Sequence, residues 1–145
     1  MLGSWPLGID RDSVGALLPG DLLAILLFVA AGEVRHNLPP WEYQMRYLRV
    51  LIPFLVGWAL LSLAVGAYSR RARTSTGWSL ALALAAWLPG ALVAMAIRDT
   101  DAFPGGAHPD FYLVSALIGG ALLVVWRLFR VGAWPPLSRW LDPKL

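Results

Sequence analysis

The chain has 145 residues, of which 58% are hydrophobic and only 14% are charged. Soluble domains use about 45–50% apolar and about 25% charged residues, so a water-soluble fold of this size could not hide so much apolar surface. The chain has no cysteine, which excludes disulfides and thiolate metal sites. The net charge of +3 does not indicate nucleic acid, because the basic residues flank apolar runs and form no patch.

Four apolar runs are long enough to cross a membrane, which takes about 20 residues for a hydrocarbon core about 30 Å thick. They cover residues 16–34, 50–68, 78–97 and 111–129. Spanning segments must satisfy their own backbone hydrogen bonds, and these runs lack the alternation of barrel strands, so each is predicted to be helical. We expect one all-α domain over residues 1–145, a bundle of four transmembrane helices.

The first run allows a second interpretation, because Val29, Ala30 and Ala31 resemble the small-residue cleavage site of a signal peptide. Asp21 interrupts the apolar region, however, and such a charge is untypical of a signal peptide. We therefore expect a retained spanning helix.

The second and third runs each contain an internal proline, Pro53 and Pro89 respectively. Proline removes one helix hydrogen bond, and in a membrane it is tolerated where neighbours or a local kink satisfy the freed carbonyl. We expect a kink at each of the two positions.

Basic residues are distributed unequally between the two sides of the predicted bundle. The N-terminus, the second loop and the C-terminus hold eight lysines and arginines, whereas the first and third loops hold four. The positive-inside rule therefore predicts cytoplasmic termini in a prokaryotic cytoplasmic membrane. Tryptophans at span ends agree with the predicted spans, since an amphipathic indole is favoured at either membrane interface, whereas Trp58 and Trp87 lie near mid-span and should face either lipid or another helix. The tryptophans at span ends are Trp41, Trp78, Trp126, Trp134 and Trp140.

Asp21 is the most informative charge, since an ionised carboxylate within a span costs several kcal/mol unless it is paired or wetted. Pro19-Gly20-Asp21 resembles a helix start, where an aspartate caps backbone N–H groups. Arg127 lies at a similar predicted depth in the fourth run. We therefore expect Asp21 to act as a cap or to form a structural ion pair with Arg127 at the cytoplasmic rim, and a transport or proton-relay role is the alternative.

Small residues at four-residue spacing let helix backbones approach closely, and they predict packing faces for the bundle itself or for a partner subunit. The pairs are Ser62 with Gly66, Ala86 with Gly90 and Ala94, Ser115 with Gly119, and Ala116 with Gly120, and Gly57 is a further candidate.

Acidic residues and both histidines belong to the opposite, outer side in this topology. They lack tight metal-ligand spacing, so we expect solvated acidic loops and no metal site, with Glu33 and Arg98 as polar residues at the rim. His36 follows the first span by about one turn and is the one candidate axial ligand for a haem or a pigment. No other cofactor is expected beyond lipid. The outer set is Glu33, His36, Glu42, Asp99, Asp101, His108 and Asp110.

Several short motifs along the chain resemble those of one family. They are Gly20-Asp21 followed by Phe28, Gly32 and His36, then Pro53-Phe54-Leu55-Val56-Gly57-Trp58, then Arg98, and finally Trp126-Arg127. Together they resemble an uncharacterised domain-of-unknown-function family of small bacterial and archaeal four-helix integral membrane proteins. The resemblance covers the chain from about Gly20 to Arg130. It implies a four-span fold and gives weight to the matching positions, but it implies no established activity.

The sequence contains no nucleophile and base pattern, phosphate loop or nucleotide fingerprint. We therefore expect a non-catalytic membrane subunit or scaffold that packs against other transmembrane subunits or against itself, for example in an energy-transducing or photosynthetic complex. A small oligomeric transporter or channel is the alternative, with Asp21, Glu33, Arg98 and the two proline kinks as its gating parts. A protein that binds haem or pigment through His36 is the third interpretation.

Overall fold

A computed structural model describes residues 8–141, and four of its helices are long and apolar enough to cross a membrane. This confirms the predicted all-α membrane bundle. The fifth helix, α3, is a single short turn of helix in the second loop. The helices are α1 (Arg11–Arg35), α2 (Gln44–Val65), α3 (Arg70–Thr74), α4 (Thr76–Arg98) and α5 (Pro109–Leu141).

The four long helices form a closed ring in chain order. Helix α1 packs against α2 and α5, and α4 packs against the same two helices on the opposite side. The most extensive contact joins α2 to α4, while the short α3 packs against α4 and α1. Every long helix therefore has two neighbours, and one central axis runs between them.

Helix α1 begins five residues before the predicted span, because Asp10 caps it. The Asp10 carboxylate accepts the backbone N–H of Ser13 at 3.0 Å and its hydroxyl at 2.7 Å. These hydrogen bonds, mainly that of the hydroxyl, lower the pKa of Asp10 although partial burial opposes them. The interpretation of Pro19-Gly20-Asp21 as a helix start is therefore wrong, since Asp21 lies well inside α1.

Helices α1, α2 and α4 each continue through an internal proline, at Pro19, Pro53 and Pro89. The kinks expected at the last two positions stay predictions. Helix α5 changes its winding twice, with π-helical segments at Ser115–Gly119 and Leu128–Ala133. Trp134 separates the second segment from Pro135-Pro136, which lack the N–H groups that a regular helix would need there.

Aromatic rings fill the central axis. Trp58 and Trp87 are 2% and 1% exposed, so both mid-span tryptophans face the bundle interior and not lipid. Phe54 stacks on Trp87 with ring centroids 5.6 Å apart, and Phe28 meets both rings edge-on at 5.3 and 5.8 Å. The series ends at Phe111, 6.1 Å from Phe54. Together these rings form an aromatic column through the core, named so below.

Candidate functional site

Asp21 and Arg127 form a bidentate ion pair, as their similar predicted depths indicate, but the pair is buried in the interior and does not lie at the expected rim. The Arg127 Nη2 donates to Asp21 Oδ2 at 2.7 Å, and its Nε donates to Oδ1 at 3.0 Å. Both side chains are 0% exposed. The pair therefore joins α1 to α5 with charge-assisted hydrogen bonds, the strongest kind available to these side chains.

Tyr68 and Trp58 extend this pair into a network. The Tyr68 hydroxyl donates to Asp21 Oδ2 at 2.7 Å and accepts the Trp58 indole N–H at 2.9 Å. The Arg127 guanidinium also lies near both rings, 5.9 Å from the Trp58 centroid and 5.5 Å from that of Tyr68. Cation–π attraction of this kind favours keeping the guanidinium charged inside the bundle.

The remaining donor of Arg127 reaches two backbone carbonyls. Its Nη1 donates to Ala67 at 3.0 Å and to Ser79 at 3.5 Å, which connects α5 to the second loop and to α4. The charged network therefore has members on all four long helices and on the second loop. We call Asp21, Trp58, Tyr68 and Arg127, with their carbonyl partners, the charged network.

The contacts of the charged network suit a structural role, in which it holds the four long helices together. The two charges neutralise each other, and the phenol uses its donor and its acceptor. Asp21 and Arg127 are fully buried, while Trp58 and Tyr68 line a cavity beside them. A buried charge that loses its partner is strongly unfavourable, so the four helices must stay assembled for the network to persist. A proton relay would instead need an open connection to water at one of these groups.

The second loop ties the N-terminal end of α1 to the same region. Asp10 donates its backbone N–H to the Tyr68 carbonyl at 2.9 Å, and the Ser13 hydroxyl, whose one hydrogen is shared with the Asp10 carboxylate, lies 3.0 Å from the Ser69 carbonyl oxygen. The Arg73 Nε donates to the Asp10 carboxylate at 3.2 Å. These contacts hold the loop that carries Tyr68 in position against α1.

Glu33 differs from its expected solvated position at the opposite end of the bundle. It is 5% exposed, and its carboxylate accepts the Nε of Arg46 at 2.8 Å. The solvated interpretation of Glu33 is therefore wrong, because the start of α2 covers it. Arg98 lies half-buried nearby, with its guanidinium 4.7 Å from the centroid of the Phe111 ring at the end of the aromatic column.

His36 is exposed and caps the end of α1 with its backbone N–H. His36 and His108, which belong to different loops, both line a cavity of about 580 Å³ between α1 and α5. Within residues 8–141, no three histidine, aspartate or glutamate side chains come close enough to hold a metal ion. The haem or pigment interpretation stays a prediction.

Most of the predicted packing residues are buried between helices. Gly57 and Gly90 face each other so closely that a Cβ on Gly57 would overlap the Gly90 carbonyl. Gly119 and Gly120 receive the Trp87 ring, whose indole N–H donates to the Ser115 carbonyl at 3.0 Å. Ala86 and Ala94 are both 0% exposed.

Gly66 is the exception among these small residues. Its φ of +78° is left-handed, and it ends α2 by donating its backbone N–H to the Ser62 carbonyl. The prediction of Gly66 as a packing residue is wrong, because its conformation serves a helix C-cap, where glycine is favoured.

The sequence pattern does not reveal the partners of three residues, Tyr68 and Trp126 within the bundle and the exposed Arg46 at its end. Tyr68 was assigned to the end of a span, although a phenol near an intramembrane charge is a natural partner for it. Trp126 was interpreted as an interfacial anchor, but its ring packs on Gly20 and its indole donates to the Leu17 carbonyl at 3.1 Å. Arg46 was counted only as a flanking charge, although an acidic residue near the same end needed a partner.

No curated protein and no solved structure matches the chain. One family, described as "Protein of unknown function (DUF3054)", matches residues 18–130, which include α2, α4 and the whole charged network. This agrees with the resemblance that the short motifs indicate from about Gly20 to Arg130. The match covers more than half of the chain, and the chain therefore belongs to this DUF3054 family of unknown function.

Proposed function

We propose that the protein is a non-catalytic membrane subunit or scaffold that packs against other transmembrane helices, in a prokaryotic cytoplasmic membrane. The observation that carries the proposal is a row of small residues on the outer face of α4. Gly77, Ala81 and Ala85 follow one another at four-residue spacing, and all three are exposed. Lipid gives helices no hydrophobic drive to associate, so close packing on small residues is the usual basis of their association.

This outer row differs from the small residues that the bundle uses itself. Gly57, Gly90 and Gly119 are buried against neighbouring backbones or rings. Gly77 has no other atom within 4 Å of a Cβ built at its position. The exposed row is therefore unused within one chain, and it suits a second copy or another subunit.

The interior supports a scaffold better than the alternative transporter or channel. The aromatic column fills the axis, and the charged network closes it at one end. A solute path through one copy would have to displace stacked rings and separate a buried ion pair. Flux in proteoliposomes that disappears in Asp21→Asn would favour the transporter instead.

The test of the proposal is the mass of the complex in a mild detergent. The wild-type protein should elute as an assembly heavier than one chain, by light scattering, with its partner identified by mass spectrometry. Ala81→Leu should shift it toward the single chain, because the larger side chain separates the packed helices. Ala121→Leu is the matched control, since Ala121 is an equally exposed alanine on α5. A wild-type protein that runs as a lone folded chain would contradict the proposal.

The same purified material tests the third interpretation, a haem- or pigment-binding protein. Two histidines, His36 and His108, line one largely apolar cavity. A visible absorption band that disappears in His36→Ala would favour this function over a scaffold.

A further inference from the structure

A cavity of about 430 Å³ opens at the end of the bundle where α2 begins and α4 ends. Arg46 and Arg49 enter it from the first two turns of α2, and Arg98 enters it from the last residue of α4. Val50, Pro104 and Gly105 complete the lining. The volume lies within the range of about 300–1,000 Å³ typical of small-ligand sites. We call this cavity the arginine pocket.

Positive charge exceeds negative charge in the arginine pocket. Glu33 is the carboxylate that pairs with Arg46, and it is not part of the lining. Arg98 has a buried Nε for which residues 8–141 offer no hydrogen-bond acceptor. Asp99 and Asp101 are exposed and lie outside the lining as well. Among residues 8–141, neither Arg49 nor Arg98 forms a direct ion pair with a carboxylate, and Glu33, which pairs with Arg46, is the one carboxylate whose charge also acts on Arg98.

The third loop holds Arg98 in place before any ligand arrives. Gly106 donates its backbone N–H to the Arg98 carbonyl at 3.0 Å, and its φ of +75° turns the loop back on α4. Gly105 then lies directly against the guanidinium, where a Cβ would collide with it. The Phe111 ring supports the other side. Donors fixed in this way bind an anion with less loss of side-chain freedom.

We propose that the arginine pocket binds a phosphate group, carried either by the headgroup of an anionic phospholipid or by a soluble phosphate compound. Guanidinium groups match the oxygens of phosphate with paired hydrogen bonds, and three of them converge here. The pocket lies at the ends of two spanning helices, the level at which lipid headgroups meet a bundle. The proposal does not depend on the scaffold function, because the exposed row on α4 lies outside this pocket.

The test uses the full chain in a neutral detergent and measures binding by titration calorimetry. The probes are dihexanoyl phosphatidylglycerol, inorganic phosphate, and dihexanoyl phosphatidylcholine as the zwitterionic comparison. Arg49→Gln and Arg98→Gln should each weaken binding of the anionic probe about tenfold, because each removes charge-assisted hydrogen bonds. Arg35→Gln is the matched control, an exposed arginine at the same end of the bundle but outside the pocket.

Two outcomes support the proposal and separate the sources of phosphate. If phosphatidylglycerol binds and inorganic phosphate does not displace it, the natural ligand is a lipid headgroup. If inorganic phosphate displaces phosphatidylglycerol, the natural ligand is a soluble phosphate compound. Absence of saturable binding of both anionic probes, equal binding of phosphatidylcholine, or an equal loss in Arg35→Gln would overturn the proposal. Arg49 is exposed, so Arg49→Gln keeps the test valid even if Arg98→Gln disturbs the loop.

Discussion

Asp21 and Arg127 stabilise the bundle only while both are present. Removing two charges from water is unfavourable, and their attraction offsets this only when the geometry is good and the other polar atoms are satisfied. Both conditions hold, since the pair is bidentate and Tyr68 and two carbonyls bind its remaining atoms. The pair therefore stabilises the bundle as a unit, and the loss of either member leaves the other charge buried without its partner.

Asp21→Asn should therefore destabilise the protein by about 3 kcal/mol, because it leaves the Arg127 charge buried without a counter-ion. The measurement is the free energy of unfolding in detergent, followed by tryptophan fluorescence. Glu33→Gln is the control, since its partner Arg46 has a side chain that is 54% exposed. Water can solvate the Arg46 guanidinium once its partner is neutral, so Glu33→Gln should lower the free energy of unfolding by about 1 kcal/mol or less.

Asp21→Leu combined with Arg127→Met gives a second check on the same prediction. A buried ion pair replaced by apolar side chains of similar volume is often tolerated, so the double variant should be more stable than Asp21→Leu alone. Wild-type stability in Asp21→Asn, together with no recovery in the double variant, would show that the pair is not structural.

At the scale of helices, the contact between α2 and α4 depends on two glycines. Gly57 and Gly90 were each predicted to be packing residues, and the structure brings their backbones together. The sequence could identify these residues as small but not as partners, because hydropathy does not show which faces of two apolar helices meet. For the same reason, the sequence does not show that the Trp126 ring packs on Gly20.

Gly57→Ala should weaken this contact, because its Cβ would overlap the Gly90 carbonyl and force α2 and α4 apart. Overpacking of this kind costs about 1–3 kcal/mol. Gly32→Ala in α1 is the matched control, since a Cβ there meets no other atom within 4 Å. The control should be neutral or more stable by up to about 1 kcal/mol, because alanine favours a helix over glycine. Equal thermal unfolding temperatures for the two variants in detergent would contradict the prediction.

The ends of helices were harder to predict than their existence. Continuous apolar runs define four spans because the membrane sets their length, and the structure confirms each of them. The start of α1 depends instead on the capping contact of Asp10 with Ser13, which lies in a polar segment without a hydropathy signal. Helix α5 extends twelve residues past its predicted span, through a π-helical segment at Leu128–Ala133 and on past Pro135-Pro136, where the sequence pattern favours a stop.

At the scale of the whole molecule, the sequence predicts the charged pair but only part of the site around it. A charge within an apolar span needs a partner, and the similar predicted depths of Asp21 and Arg127 indicate their pairing, with a helix cap as the alternative for Asp21. Tyr68 and Trp58 join them through the fold of the second loop, which no spacing rule specifies. The arginine pocket likewise arises from residues far apart in the chain, Arg49 and Arg98, that meet only when α2 packs on α4.

The orientation in the membrane is a property of the whole chain, and its absence of cysteine makes it directly testable. The excess of basic residues predicts that the termini and the second loop are cytoplasmic. A single Ala102→Cys in the third loop should therefore react with a membrane-impermeant maleimide in intact cells, whereas Thr74→Cys at the end of α3 should react only after the membrane is opened. Both positions are exposed, so a difference reports sidedness, and the fully buried Ala83→Cys should stay unlabelled in both conditions. If only Thr74→Cys is labelled in intact cells, the orientation is the opposite of the predicted one, and the arginine pocket lies on the cytoplasmic side.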